Sequence, residues 1–223
     1  MCGRYAVVIN SQLSELYFGI TEKDIEFTHY NIAPGSEIPA LIYKDEKKIW
    51  QFMRWSLIPF WSKTKKIPYT TFNIKQEGIW RKPVSRKPIL TSRCVIPATA
   101  YYEWEKSGTS SIPYCIKPLD FPYFLMGGIW DIWNDKNTGE IIFSCAMITR
   151  PSSPLLQGIH HRMPLIIEEK KLDLWLNPHT PKTIIQDMMD QPEVSLRLDF
   201  FRISPKVGNS KINDPSFIRH ENE

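Results

Sequence analysis

The chain has 223 residues, of which 42% are hydrophobic and 13% aromatic, so it can bury a core as one large or two small domains. Its net charge of +4 permits a nucleic-acid partner without requiring one. No signal peptide and no apolar run of membrane-spanning length is visible, so we expect a soluble cytoplasmic protein with reduced thiols. The cysteines have neither a Cys-x-x-Cys pair nor zinc spacing, which argues against a metal site; they are Cys2, Cys94, Cys115 and Cys145.

The first half of the chain predicts short strands separated by turns. Residues 5–9 predict a strand, and Ser11 can cap a short helix after it. Residues 29–35 predict a turn-rich loop that ends in Pro-Gly. Two apolar segments joined by a Lys-Asp-Glu-Lys-Lys loop predict a hairpin over 38–55. An irregular aromatic and basic segment then continues to residue 68.

The second half predicts further hairpins and two late helices. The expected elements are a strand over 69–75, a helical turn over 76–80, strands within 92–106, 112–118, 124–133 and 141–149, and helices over 168–177 and 181–190. No linker-like change of composition divides the chain. We therefore predict a single α+β domain over 1–223, with a central, mostly antiparallel, barrel-like β-sheet flanked by short helices and a loose tail over about 208–223.

The amino-terminal segment Met1-Cys2-Gly3-Arg4 carries the most distinctive chemistry. Methionine is normally removed before a small side chain, so Cys2 can become the first residue and present both a thiol and an α-amine. Roughly a tenth of an ordinary α-amine is unprotonated at pH 7. Such an aminothiol can condense with an aldehyde and close a thiazolidine ring, or attack an amide with its own amine as base. The alternative is a small residue without special function at this position.

Other polar residues in apolar contexts suit acid–base work. Glu103 lies among aromatic residues and would have a raised pKa if buried, although an outward-facing strand position explains it equally well. His160 titrates near neutrality, but a lone histidine is more often a satisfied polar group. Its pairing with His161 lacks metal-ligand spacing. Asn73 suits either a strand-end cap or an amide that orients a reacting group.

Six segments together resemble the SOS-response-associated peptidase (SRAP) family. They are MCGRY, YNIAPG, RWSLIPFW, FNIKQE, RCVIPATAYYEW and HHRMP, which follow the family's order from Met1 to about Leu165. MCGRY together with His-x-Arg-Met-Pro is a specific combination. The resemblance implies a DNA-damage protein that removes its own first residue. It also implies capture of abasic sites in single-stranded DNA as a thiazolidine, through an exposed terminal cysteine.

The resemblance also implies roles for individual residues. Cys2 is the expected nucleophile, and Asn73 is expected to steady the adduct. Glu103 and His160 are expected to move protons, including those that open the sugar to its aldehyde. The expected DNA-binding residues are Arg4, Lys75, Arg81 and Arg162 on phosphates and Trp61 on bases. We expect a monomer without cofactor or metal, which binds single-stranded DNA containing abasic sites, does not bind membranes, and is cytoplasmic and nucleoid-associated when bound to DNA.

The chain departs from the family pattern at a few positions. Lys75 stands where the family has a phosphate-binding arginine, so the charge is kept but the fork geometry is lost. Ser56 replaces a glycine, and His161 stands where aspartate is frequent. Val207-Gly208-Asn209 replaces the usual Val-Asn, which leaves the contribution of that loop open. None of these positions belongs to the inferred catalytic set.

Two other classes of function stay open. An N-terminal-cysteine glutamine amidotransferase also begins Met-Cys-Gly, and its cysteine attacks an amide beside an oxyanion hole. Such enzymes usually have an apolar residue where Arg4 stands, and they lack His-x-Arg-Met-Pro. The second class is a non-covalent single-stranded-DNA-binding module in which Cys2 is incidental.

Overall fold

The structure, a computed structural model, describes residues 2–20, 25–191 and 197–220. The strands are β1 (Arg4–Ile9), β2 (Phe27–Ile32), β3 (Glu37–Lys44), β4 (Lys47–Trp55), β5 (Asn73–Lys75), β6 (Arg93–Ala98), β7 (Ala100–Ser107), β8 (Ser110–Pro118), β9 (Phe124–Asn134), β10 (Ile141–Pro151), β11 (Arg162–Pro164) and β12 (Leu198–Arg202). The helices are α1 (Ser11–Phe18), α2 (Pro88–Thr91), α3 (Leu172–Leu176) and α4 (Lys182–Asp190). Within these ranges, no helix has the length and apolar character that a membrane span needs.

Five strands close into a ring. The order β10-β4-β3-β6-β9 returns to β10, because β9 and β10 also pair with each other as a hairpin. Neighbours in the ring are antiparallel except for β4 and β10, which run parallel. The short strands β5 and β11 join the ring beside β10. The predicted α+β class and the barrel-like, mostly antiparallel sheet are therefore confirmed.

A second sheet, in the order β12-β8-β7-β1-β2, packs beside the ring. Successive side chains of a strand point to opposite faces, and both faces of β1 are covered. Tyr5, Val7 and Ile9 join the main core, whereas Ala6 joins a smaller cluster with Tyr102. The strand that follows Cys2 is thus packed on both sides, which holds the start of the described chain in a defined position.

The cap of helix α1 lies one residue earlier than predicted. Asn10, not Ser11, is the N-cap: its backbone is extended, and its side-chain oxygen accepts a hydrogen bond from the Leu13 N–H at 2.9 Å. Ser11 is the first helical residue. Gly19 ends the helix in the left-handed conformation, at φ 67°.

Two other local predictions are wrong. Residues 29–32 are strand rather than loop, because they pair with β1: Val7 lies opposite His29, and Tyr5 lies opposite Ile32. Residues 76–80 form turns rather than a helix, because Gly78 has φ 80° and breaks the helical path. In both cases long-range pairing or a single backbone angle overrides the local pattern.

The expected loose tail is packed as far as residue 220. Phe217 is 1% exposed, and its ring lies 6.4 Å from that of Tyr102. The side-chain amide of Asn31 donates to the carbonyls of Asn209 at 3.0 Å and Ile212 at 2.8 Å. Hydrogen bonds from the Asn31 side chain to backbone carbonyls of this polar segment therefore help to order it. Residues 221–223 lie outside the described part of the chain.

Candidate active site

The carboxyl end of β10 brings distant segments together. Asn73 on β5 pairs with Met147 on one side of β10, and Arg162 on β11 pairs with Pro151 at its end. On the second sheet, Arg4 pairs with Tyr102. Glu103 directly follows that partner, so it lies beside the residues that precede Arg4. The topology therefore places Cys2, Asn73, Glu103 and His160 in one neighbourhood.

Asn73 fixes the backbone of Cys2. Its side-chain amide donates to the Cys2 carbonyl at 2.7 Å, across 71 positions of sequence. The Cys2 thiol donates to the Arg4 carbonyl at 3.8 Å. Asn73 is 9% exposed, and its Oδ1 has no hydrogen-bond partner among the described residues. A buried amide oxygen left in this state is an acceptor available to an incoming group.

Cys2 itself is fully buried, which differs from the exposed cysteine implied by the family resemblance. Burial raises the pKa of its thiol well above the usual value, and the charge of Glu103 adds to that effect. In the chain that carries Met1, the Cys2 nitrogen is a peptide nitrogen and not an amine. Both nucleophiles of Cys2 are therefore masked in this form of the protein.

Glu103 and His160 are neighbouring titratable groups. Glu103 is 3% exposed, and burial raises its pKa to about 7, against the opposing positive charge of the amino terminus. The Nδ1 atom of His160 lies 3.8 Å from Glu103 Oε1, and burial lowers the pKa of His160. The backbone N–H of Arg162 donates to that Nδ1 at 3.0 Å, which suits a neutral ring with its proton on Nε2. The site therefore places a carboxyl group that titrates near neutral pH beside a neutral imidazole.

The raised pKa of Glu103 has a consequence for stability. A carboxyl group that titrates at about 4.3 when unfolded and at about 7 when folded contributes most below pH 4, and that contribution is lost as pH rises through 7. Replacing Glu103 by Gln removes the cost of burying the ionised group. We expect the difference in melting temperature between Glu103→Gln and the unmodified protein to favour the variant more at pH 8 than at pH 5.

Thermal unfolding followed by circular dichroism at the two pH values measures this difference. The same substitution at the exposed Glu46 supplies the general effect of removing one negative charge. An equal shift for Glu103→Gln at both pH values would contradict the assignment of a raised pKa.

Arg162 is held by Glu77, a residue that the sequence analysis did not single out. The guanidinium donates to Glu77 Oε1 at 2.6 Å from Nη1 and to Oε2 at 2.9 Å from Nη2. Nη2 also donates to the Thr149 carbonyl at 2.5 Å. Glu77 is the last residue of the Asn-Ile-Lys-Gln-Glu segment, so its position in that motif was the available signal. Arg162 is thus paired in this structure rather than open to a phosphate.

Arg4 has a positioning contact with the far end of the chain. Its guanidinium donates to Asn31 Oδ1 at 2.9 Å, to the Val207 carbonyl at 3.0 Å and to the Gly208 carbonyl at 2.9 Å. The Val207-Gly208-Asn209 loop, whose contribution was open from the sequence, therefore supplies acceptors to Arg4 and to Asn31. Asn31 is a second residue that sequence reasoning missed, although it lies in the Tyr-Asn-Ile-Ala-Pro-Gly motif.

A groove of about 410 Å³ begins at Asn73. Trp61 and Tyr69, which are 47% and 51% exposed, give it two aromatic walls. Lys75 and Lys82 supply positive charge. Two of the predicted DNA-binding residues, Trp61 and Lys75, thus line one groove that reaches the site. Arg81 is exposed and is not among the residues that line it.

Comparison with known proteins identifies the family. The family model described as SOS response associated peptidase (SRAP) matches residues 1–210. The chain belongs to the SRAP family. The resemblance carried by the six sequence segments is therefore confirmed.

This SRAP protein matches named relatives and a solved structure over most of its own length. The chain is similar to abasic site processing protein YoqW of Bacillus subtilis (strain 168), at 32% identity over 225 residues that cover 98% of this chain and 99% of the relative. It is similar to abasic site processing protein HMCES of Pongo abelii, at 28% identity over 228 residues that cover 85% of this chain and 64% of that protein. A crystal structure of a protein from Bacteroides thetaiotaomicron matches with a TM-score of 0.86 at 30% identity, over 98% of this chain and 99% of that one.

Proposed function

We propose that this protein processes abasic sites in single-stranded DNA by capturing them covalently through Cys2 after Met1 has been removed. One observation carries the proposal: Cys2 is held by Asn73 beside the Glu103–His160 pair. Membership of the SRAP family supports it, because relatives with similar sequences are named abasic site processing proteins. The protein acts as a monomer in the cytoplasm and is nucleoid-associated when bound to DNA.

The chemistry requires both nucleophiles of Cys2. An abasic sugar is an aldehyde masked as a hemiacetal, and proton transfer opens its ring. The α-amine then condenses with the aldehyde carbon and one water molecule leaves. The Cys2 sulfur adds to the carbon of the resulting imine, and the thiol proton passes to nitrogen, which completes the thiazolidine. Glu103 suits the proton transfers because burial raises its pKa to about 7, and His160 lies beside it with a pKa that burial lowers, which favours a neutral ring.

Removal of Met1 is the self-processing step of the same site. The Cys2 sulfur attacks the Met1 carbonyl, the Cys2 nitrogen leaves as an amine with a proton, and water hydrolyses the thioester to release methionine. Glu103 is the neighbouring base for that thiol, and its pKa of about 7 leaves it partly ionised near neutral pH. The step unmasks the amine that the aldehyde requires.

The groove that begins at Asn73 suits a single strand rather than a duplex. Aromatic faces such as those of Trp61 and Tyr69 stack on unpaired bases, which contributes about 1–3 kcal/mol per base. Lys75 and Lys82 add charge for the phosphates between those bases. Bases that are paired in a duplex do not offer these faces.

The test uses two oligonucleotides of one sequence, one intact and one with a single abasic site. We expect a product that survives denaturing electrophoresis without reductant, from the abasic strand alone. Intact mass of the protein should show the adduct only on molecules that lack Met1. Equal, non-covalent retention of both strands would support a binding module instead. Release of ammonia from glutamine, without any adduct, would support an amidotransferase.

A further inference from the structure

The Arg162–Glu77 pair has the geometry with which arginine binds a phosphate. Two parallel N–H···O bonds, at 2.6 Å and 2.9 Å, join the guanidinium to both carboxylate oxygens. The two partners differ sharply in environment, because the side chain of Arg162 is 8% exposed and that of Glu77 is 54% exposed. Glu77 is therefore the solvent-facing partner, and it covers a buried cation.

Arg162 has anchors other than Glu77. Its backbone belongs to β11, and its Nη2 donates to the carbonyl of Thr149 on the neighbouring β10. Its Nε is buried and has no hydrogen-bond partner among the described residues. Departure of the carboxylate would leave the guanidinium fork aimed at the same point, with further donor capacity unused.

The surroundings of the pair favour a phosphate as the alternative partner. The hydrogen bond from Arg162 has the largest effect in lowering the Glu77 pKa, and the charge of Lys75, two residues earlier in the chain, lowers it further. Lys75 lines the groove that begins at Asn73. A phosphate in the place of the carboxylate would contact a fork and lie near a second cation.

We propose that Glu77 is an anionic gate on the DNA-binding face: its carboxylate occupies on Arg162 the position that a DNA phosphate takes when single-stranded DNA binds. The inference rests on the proposed function and assigns a residue that regulates access to the same site. Each binding event exchanges one anion for another on Arg162, so Glu77 lowers the affinity for every strand. It thereby reduces retention on DNA that offers no aldehyde to capture.

Removing the competing charge tests the gate. Glu77→Gln should bind a fluorescein-labelled intact single strand about five-fold more tightly at fixed salt, because the phosphate no longer displaces an ion pair. Fluorescence anisotropy measures the dissociation constant. With the abasic strand, the adduct should form about five-fold faster at subsaturating DNA and at an unchanged rate at saturation, since Glu77 is not proposed to touch the reacting atoms.

A matched variant separates the gate from a general change of charge. Asp120→Asn also removes one negative charge and breaks an exposed pair with Arg197. Asp120 lies away from the site: the hydroxyl of nearby Tyr123 donates to the Val8 carbonyl, at the end of β1 that is farther from Cys2. We expect its gain in affinity to be much smaller than that of Glu77→Gln. In an Arg162→Lys background, which lacks the guanidinium fork, Glu77→Gln should increase the affinity for single-stranded DNA no more than Asp120→Asn does.

Three results would overturn the gate. Weaker DNA binding by Glu77→Gln would make Glu77 a positioning residue for Arg162. A gain in affinity equal to that of Asp120→Asn would exclude the gate, and so would a changed rate of adduct formation at saturating DNA. These two measurements use only substitutions at exposed positions, so they remain decisive even if Arg162→Lys does not fold. Failure of the unmodified protein to bind single strands or to form an adduct would instead refute the proposed function.

Discussion

Covalent capture of abasic DNA should fall to background when one residue that is not removed is inserted between Met1 and Cys2. Glutamate serves for the insertion, and the intact mass of the purified variant must show that Met1 and the inserted residue are both retained, because the self-processing step proposed above cleaves the bond before Cys2 in the unmodified protein. The Cys2 nitrogen then stays an amide, which cannot condense with an aldehyde, although the thiol is unchanged. Denaturing electrophoresis of the abasic strand with the purified protein, without reductant, measures the loss.

Cys2→Ser is the matched control for the sulfur. If Met1 is removed from this variant, the amine is kept but the second nucleophile is poorer, so the product should be mainly a Schiff base. That product should be lost on heating unless borohydride traps it. A stable adduct from the protein with the inserted residue would contradict the two-nucleophile mechanism. So would peptide mapping that finds the DNA on an internal lysine of the unmodified protein.

Arg93→Met should destabilise the fold by several kcal/mol, because each buried carbonyl left without a donor costs about 1–3 kcal/mol. Arg93 is 1% exposed, and burial lowers its pKa to about 10, so it stays charged at neutral pH. Its guanidinium donates to carbonyls at the ends of α2 and α3; the acceptors are Ile89, Leu90, Trp175 and Asn177. Methionine fills similar space but removes the donor from all four carbonyls, of which those of Ile89 and Trp175 bond within the buried part of the fold.

Urea unfolding measures the change in the free energy of unfolding. Arg197→Met is the matched control, since Arg197 is exposed and pairs only with the surface carboxylate of Asp120 among the contacts described. We expect no measurable loss of stability from that control. Equal losses for the two variants would show that Arg93 contributes no more than a surface arginine.

The strands were predictable from the sequence where local alternation decides them. The hairpin of β3 and β4 and the hairpin of β9 and β10 follow from apolar segments separated by polar turns. The prediction described the sheet only as barrel-like, without the strand pairs that close it. Closure depends on the parallel pairing of β4 with β10. No local pattern encodes a contact between strands that lie far apart in the chain.

The candidate site was predictable in its residue types but not in its state. Cys2 and Glu103 stand out by position and context, yet the complete burial of Cys2 follows from β1 being packed on both faces. The hold of Glu77 on Arg162 joins residues 85 positions apart. A single sequence identifies such residues as candidates for a charged or catalytic contact. Only the fold identifies the residue that each of them contacts.

The contacts of Arg4 with the Val207-Gly208 loop imply an order of events during synthesis. Arg4 is made 203 positions before Val207 and 204 positions before Gly208, whose carbonyls fix its side chain. The surroundings of Cys2 are therefore incomplete until that loop has been made. Nascent chains that lack the loop would lack the assembled site, so an aminothiol that reacts with aldehydes would be activated only after the loop has joined the fold.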